Sequence, residues 1–214
     1  LTQDGQVVCI HDADTARVAG EHNVVAHSTY ESLRALDVGQ WKSSSYEGTR
    51  IPLCEEALAQ IPAGKLALIE AKAGKEIVEP LAKVIERSHL HAAQVVVIGF
   101  DKQMIRACNA RLPAVRTHWL TRYEKTHDGC RPSPAEVVRG WQRSCADGIG
   151  SQAMPEHFDS RFVAALRDAG CDEFHVWTVD ELAVAQFYGD LGAKTITTNR
   201  PAWLRQQLAQ QSAE

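Results

Sequence analysis

The chain has 214 residues, of which 44% are hydrophobic and 23% are charged, and its formal net charge is −4. This composition is typical of a folded globular protein, and the length suits one large domain or two small ones, of which we expect a single domain over 1–214. The slightly acidic balance and the lack of a long basic run argue against nucleic acid as a partner. The apolar stretches are shorter than the roughly 18 residues that a membrane span requires, so we expect no span.

The beginning of the chain and its cysteines indicate the compartment. The first residues show no basic and then apolar leader, so we expect a cytoplasmic location. The six cysteines have no paired CxxC spacing, which predicts free thiols in a reducing compartment and argues against a zinc site.

Apolar runs that favour strands alternate with helical patterns along nearly the whole chain. Seven strands are predicted, at 6–10, 65–72, 94–100, 115–120, 147–152, 173–179 and 194–198. Helices are predicted at 30–36, 53–60, 76–90, 102–111, 134–145 and 159–169, then one that Asp180 caps and Gly192 ends, and a last one that Pro201 opens.

This alternation predicts parallel strands that are joined by right-handed crossovers. A doubly wound sheet would usually carry a glycine-rich phosphate loop, and neither GxGxxG nor GxxxxGK[ST] occurs in the chain. We therefore expect a TIM-like (β/α)8 barrel that is one strand short. The segment 13–61 is longer than one crossover helix needs, and it either shapes a substrate pocket or is a packing excursion.

The apolar run Leu68–Lys72 ends on an acid and a base two residues apart, Glu70 and Lys72. Residues i and i+2 of a strand point to the same side, so these two side chains share a face where the strand leaves its sheet. A carboxylate beside an ammonium suits a site for a metal ion and an anionic substrate. The alternative is an ordinary ion pair at the end of a strand.

A second polar pair follows the first predicted strand. His11 and Asp12 come directly after the run 6–10. Histidine titrates near neutral pH and is able to give or take a proton in a reaction. The neighbouring Asp12 either fixes the imidazole ring or caps the following turn, and a structural role for His11 is the alternative to a catalytic one.

Taken together, these motifs resemble the glycerophosphodiester phosphodiesterase family. The matching segments occur in the family's order and span nearly the whole chain: 1–8 leading to His11 and Asp12, then Arg17, 29–36, 51–56, 68–72, Gly99 and Phe100, 176–179, and 196–201. Each motif alone is weak, and the combination of HD, IEAK and WTV is specific.

The resemblance implies a (β/α)8 barrel that uses a divalent metal, Ca²⁺ or Mg²⁺, to hydrolyse glycerophosphodiesters to glycerol 3-phosphate and an alcohol. Glu70 would match a metal-binding glutamate, and Lys72 would contact the phosphate. His11 would match one of two histidines that act as acid and base. Trp177 would wall the substrate pocket, with core packing as the alternative. Such an enzyme belongs to lipid and glycerol metabolism.

The chain also departs from the family pattern. The family begins with a His-Arg-Gly strand, a helix and a Glu-x-Asp pair. Neither motif occurs in the 214 residues, whose first segment matches the part of the family that follows them. We therefore expect an N-terminally incomplete barrel that lacks its first strand and helix, a second histidine and two metal-binding carboxylates. Open sheet edges would then favour self-association. The alternative function is a non-catalytic barrel that binds a phosphorylated ligand or a protein partner.

Overall fold

The computed structural model describes residues 1–127 and 129–211. They form two compact units. The first unit comprises Leu1–Ala67 and Ala73–Val95, and the second comprises Leu68–Lys72 and the described chain from Val96 onward. No helix within the described ranges is long and apolar enough to cross a membrane.

The first unit contains four α-helices: α1 (Ala16–Ala19), α2 (Tyr30–Arg34), α3 (Cys54–Leu58) and α4 (Val78–Arg87). A short 3-10 turn, Lys75–Ile77, precedes α4, so the helix predicted at 76–90 begins later than expected. A small core forms around Val25, Leu33 and Ile51, against which partly buried aliphatic side chains pack. This core lies within the long segment 13–61.

The predicted strand at 6–10 is wrong. Val8 forms a single antiparallel bridge with Leu53, and the flanking backbone bonds run from Cys9 N to Pro52 O and from Cys54 N to Val7 O. Pro52 has no N–H to donate to a ladder. Because Cys54 is already the first residue of α3, the pairing cannot continue on that side either.

The second unit is built on a parallel sheet, and a small hairpin is inserted after its third strand. The eight strands in chain order are β1 (Ala67–Glu70), β2 (Val95–Gly99), β3 (Arg116–Thr121), β4 (Glu124–Thr126), β5 (Gly129–Arg131), β6 (Gly148–Gln152), β7 (Glu173–Trp177) and β8 (Thr195–Ile196). The sheet order is β1-β2-β3-β6-β7-β8, and the antiparallel pair β4-β5 forms the hairpin, which the sequence analysis missed.

Helices join successive strands of this sheet, as a (β/α)8 barrel requires. From β2 onward they are α5 (Lys102–Arg111), α6 (Pro134–Ser144), α7 (Ser160–Asp168), α8 (Leu182–Asp190) and, after β8, α9 (Pro201–Gln211). The sheet follows chain order, which confirms the TIM-barrel class. Six of the seven predicted strands are present, and in the described chain β1 and β8 are the outermost strands of the sheet.

The helix boundaries follow from local capping. Asp101 accepts hydrogen bonds from the first turn of α5, and Ser133 forms a capping box with Glu136 at the start of α6. The prediction that Asp180 caps α8 is wrong, because Glu181 occupies the N-cap position. The Asp180 carboxylate accepts instead from Asn199 N at 2.8 Å, Asn199 Nδ2 at 2.7 Å and Thr198 Oγ1 at 2.9 Å.

Glycines in β6 make room for large side chains of the neighbouring strands. In the parallel registers, Gly150 lies between Leu120 of β3 and His175 of β7. A Cβ atom at Gly150 would lie 2.3 Å from a His175 ring carbon and 2.4 Å from a Leu120 methyl group. The sheet therefore requires glycine here for reasons of space.

We predict that Gly150→Ala lowers the free energy of unfolding by ~1–3 kcal/mol, because the added methyl group overpacks this part of the sheet. Gly189→Ala in α8 is the matched control, since no atom of the described residues outside its own helix backbone lies within 4 Å of its Cβ position. That control should be neutral or stabilise by about 0.5–1 kcal/mol. Urea denaturation measures both, and equal effects of the two substitutions would contradict this packing argument.

Candidate functional site

The second unit brings polar and aromatic side chains to one edge of its sheet. Parallel strands place their carboxyl ends together, and barrel enzymes build their active sites there. We call this border the carboxyl edge and define it by the residues that end or directly follow five strands: Glu70, Phe100, Arg122, Gln152 and Trp177.

Glu70 and Lys72 share one side of β1, as the sequence predicted. The strand ends at Glu70, and Ala71 still donates its N–H to Ile98 O of β2 at 2.9 Å. Lys72 Nζ lies 3.5 Å from Glu70 Oε1, and the two side chains are 38% and 31% exposed. The pair thus forms a partly exposed ion pair that presents one carboxylate and one ammonium at the carboxyl edge.

The ligands available for a divalent metal are too few in the described part of the chain. Ca²⁺ takes six to eight oxygen ligands, and Mg²⁺ requires near-octahedral coordination. No group of three or more His, Cys, Asp or Glu side chains that could hold a metal occurs among the described residues. Glu70 is moreover paired with Lys72. These residues therefore do not by themselves form a site for a hard cation.

Two aromatic rings and a guanidinium form a second part of the carboxyl edge. Trp177 is half-buried and donates its Nε1–H to Gly150 O at 3.1 Å, which fixes the ring. Phe100 meets it edge to face, with ring centroids 5.6 Å apart. The Arg122 guanidinium lies 5.8 Å from the Phe100 centroid, and Phe100 is 43% exposed. This arrangement gives an accessible apolar wall beside a cation.

Sequence reasoning missed Arg122 altogether and noted Phe100 only as part of a family motif. The signal that could have found them is positional. Each residue directly follows a strand of the sheet, as Trp177 ends one, so the rule that singled out Glu70 applies to all of them.

His11 lies in the first unit, in a bend after the Val8–Leu53 bridge rather than at the end of a strand. Its Nδ1 lies 2.8 Å from Asp12 Oδ1, and Arg17 Nε donates to Asp12 Oδ2 at 2.6 Å. Two hydrogen bonds lower the pKa of Asp12, and the one from His11 has a larger effect than the one from Arg17. Asp14, not Asp12, accepts from the turn, through Ala16 N at 2.9 Å. Asp12 therefore fixes the imidazole ring.

A buried histidine pair on the same sheet face as Gly150 was not foreseen from the sequence. His118 of β3 and His175 of β7 stack with ring centroids 5.2 Å apart, and their Nδ1 atoms are 3.0 Å from each other. His118 Nε2 lies 3.3 Å from Glu173 Oε2. Single histidines in β-rich runs gave no signal, since only the register across Gly148 and Gly150 brings them together.

Burial decides the protonation of this pair. Burial lowers the pKa of His175 to about 3, with a further contribution from His118. Burial also lowers the pKa of His118, against the opposing effect of Glu173. With both rings neutral, His118 Nε2–H donates to Glu173 and His175 Nδ1–H donates to His118 Nδ1. His175 Nε2, which has no hydrogen-bond partner among the described residues, is then an unprotonated nitrogen.

Comparisons with known proteins agree with the fold and with the motifs. The model of the glycerophosphoryl diester phosphodiesterase family matches residues 1–203. A Bacillus subtilis protein named as a glycerophosphodiester phosphodiesterase is 38% identical over 209 residues, which cover 95% of this chain and 81% of that protein.

Two solved structures share the fold. A phosphodiesterase from Oleispira antarctica in complex with its product sn-glycerol 3-phosphate has a TM-score of 0.83 at 18% identity, covering 98% of this chain and 82% of that one. An Agrobacterium tumefaciens structure described as a glycerophosphoryl diester phosphodiesterase has a TM-score of 0.82 at 18% identity, covering 100% and 84%.

We predict that the buried His118–His175 pair makes the protein less stable in acid. Folded-state pKa values below the unfolded value of about 6.5 mean that the unfolded chain binds more protons below that pH. The stabilising contribution is complete above pH 6.5 and is lost as the pH falls towards the His175 value of about 3. For His175, the loss approaches ~1.4 kcal/mol per pH unit within this window.

Urea denaturation at several pH values tests this, with His175→Asn as the comparison. Asparagine does not titrate, and its amide is able to donate to His118 Nδ1. The variant should lose less stability than the native chain between pH 7 and pH 4.5. Parallel curves for the two proteins would show that the histidine pair does not cause the acid sensitivity.

Proposed function

The chain belongs to the glycerophosphoryl diester phosphodiesterase family, a family of phosphoric diester hydrolases, and we propose that its function is the metal-dependent hydrolysis of glycerophosphodiesters to glycerol 3-phosphate and an alcohol. The observation that supports this most is the Glu70–Lys72 pair at the carboxyl edge. An acid and a base on the face where barrel enzymes bind substrates are suited to a phosphodiester.

We assign proposed roles to Lys72, Trp177 and His11. The Lys72 ammonium contacts a phosphate oxygen and offsets its negative charge. Trp177, held by its bond to Gly150 O and flanked by Phe100, packs against the glycerol carbons. His11 transfers a proton to or from a phosphodiester oxygen, a role that typically contributes on the order of 10²–10⁴ in rate.

Glu70 is the proposed metal ligand of this chain, for Ca²⁺ or Mg²⁺, whose chemistry would be to offset charge on the phosphate. Because the described residues do not complete a site, we propose that further carboxylates come from a Glu-x-Asp segment of the family type. A His-Arg-Gly strand of the family type would supply the second histidine and would pair with the outer strands of the sheet. Without it, those strands are free for self-association.

A second candidate function is a non-catalytic barrel that binds a phosphorylated ligand or a protein. The observation that favours it is that no cluster of three metal-ligating side chains occurs in the described ranges. Lys72, Arg122 and Trp177 would suffice to bind a phosphorylated molecule, whereas hydrolysis requires more groups. For a phosphorylated ligand, the two functions differ in turnover and not in binding.

We predict that the purified 1–214 chain releases little or no glycerol 3-phosphate from glycerophosphocholine at saturating Ca²⁺ or Mg²⁺. Residues that act as a unit in a site are strongly non-additive, so the loss of several ligands removes most of the activity. A version extended by a family-type His-Arg-Gly and Glu-x-Asp segment should turn over. Sedimentation velocity on the same samples separates an inactive monomer from an associated species.

The controls for this experiment are single substitutions in the extended version. Glu70→Gln should abolish most turnover and weaken calorimetric metal binding, while Glu31→Gln on the exposed side of α2 should change neither. Robust turnover by the 1–214 chain itself would show that other acidic residues supply the ligands. An inactive extended version that still binds glycerol 3-phosphate would favour the non-catalytic candidate.

A further inference from the structure

Four side chains in the first unit form a continuous series that begins at an exposed tryptophan and ends at His11. The Trp41 ring stacks on the Arg17 guanidinium, with Cζ 5.0 Å from the ring centroid. Arg17 Nε donates to Asp12 Oδ2 at 2.6 Å, and Asp12 Oδ1 accepts from His11 Nδ1 at 2.8 Å. None of these side chains is in the core, so the series contributes little to stability.

The first end of the series is fixed by the loop that carries Trp41. Its indole N–H donates to Val38 O at 2.9 Å, although the side chain is 51% exposed. The Asp37 carboxylate accepts three backbone N–H groups of this loop, from Gly39 at 2.8 Å, Gln40 at 3.0 Å and Gly48 at 2.6 Å. The ring is therefore held in place on the surface without being buried.

The other end is fixed by the turn that carries Asp12 and Arg17. Thr15 is fully buried, its N–H donates to Asn23 O at 3.2 Å, and its hydroxyl donates to Glu21 O. Val25 N donates to Ala13 O at 2.9 Å. These bonds close the segment 13–25 into a tight loop, so the Arg17 side chain leaves from a defined position.

The neighbouring carboxylates of Asp12 and Asp14 accept hydrogen bonds from different partners. Asp14 accepts from Ala16 N and so performs the capping role that a turn acid usually has. Asp12 gives one oxygen to His11 and the other to Arg17. A carboxylate that accepts from Nδ1–H selects the imidazole tautomer whose Nε2 is unprotonated.

We propose that Asp12, oriented by Arg17 and Trp41, is a positioning residue that holds His11 in the Nδ1–H tautomer and directs its Nε2 outward as the proton-transfer atom. The catalytic part of this statement rests on the role proposed above for His11, whereas the tautomer does not. The His11 side chain is 75% exposed, so its Nε2 is accessible to a ligand. A stacked Arg17 limits the rotation of Asp12, and this keeps the imidazole from turning over.

Long-range ¹H–¹⁵N NMR of the ¹⁵N-labelled chain at pH 8 reads the tautomer of each neutral histidine directly, and His11→Gln assigns the signal. The native chain should show His11 mainly as Nδ1–H. Asp12→Ser should convert it mainly to Nε2–H, whereas the matched control Asp14→Ser keeps a hydroxyl cap and should not. An unchanged tautomer in Asp12→Ser, or an equal change in Asp14→Ser, would overturn the proposal.

The same measurement tests the outer members of the series. Trp41→Leu should shift His11 part of the way towards Nε2–H, and Tyr46→Leu, which alters another exposed aromatic residue of the same loop, should not. No shift in Trp41→Leu would remove Trp41 from the proposal. In the extended, active version, Asp12→Ser should lower kcat with little change in KM. Full activity of His11→Ala there would refute the catalytic role of His11 while leaving the tautomer result intact.

Discussion

The parallel pairing of β3, β6 and β7 determines which side chains of the second unit meet. Because the strands of the parallel sheet run in the same direction and follow chain order, their last residues all lie at the carboxyl edge. This brings to one surface four residues that are far apart in sequence: Glu70, Phe100, Arg122 and Trp177. The same register places His118 and His175 across the glycines of β6, below that edge.

The carboxyl edge carries two cationic side chains and one carboxylate. Lys72 and Arg122 supply positive charge for a phosphate, and Trp177 with Phe100 supplies an apolar wall. Glu70 is a single carboxylate that already has a cationic partner. The proposed phosphate contacts therefore come from the chain's own residues, whereas a hard cation needs more oxygen ligands than the described residues bring together.

Much of the fold and part of the site follow from the sequence. The helix at 102–111 was predicted to the residue, because Asp101 caps it and its apolar spacing is regular. Period two correctly placed Glu70 and Lys72 on one side of β1. The strand at 6–10 was wrong because a β-rich composition does not reveal that its partner segment contains Pro52 and then begins a helix. Local patterns also cannot show the His118–His175 pair, which depends on a long-range register.

The histidines illustrate how differently one residue type behaves in this chain. His175 is buried and neutral, and its pKa of about 3 keeps it out of proton transfer near neutral pH. His11 is exposed, and its ring is oriented by a carboxylate that is in turn bound by an arginine. The sequence presents both as polar residues in apolar surroundings, and only burial and partners distinguish the structural imidazole from the accessible one.

If the carboxyl edge is the substrate site, a phosphate ligand binds there. Titration of the ¹⁵N-labelled chain with sn-glycerol 3-phosphate, followed by ¹H–¹⁵N spectra, reports on the amides at both ends of the strands. We expect shifts at the carboxyl edge, at 70–72, 100–101, 122–123, 152–153 and 177–178. Shifts confined to the opposite ends of the same strands, at 95–96, 116–117, 148 and 173, would contradict it.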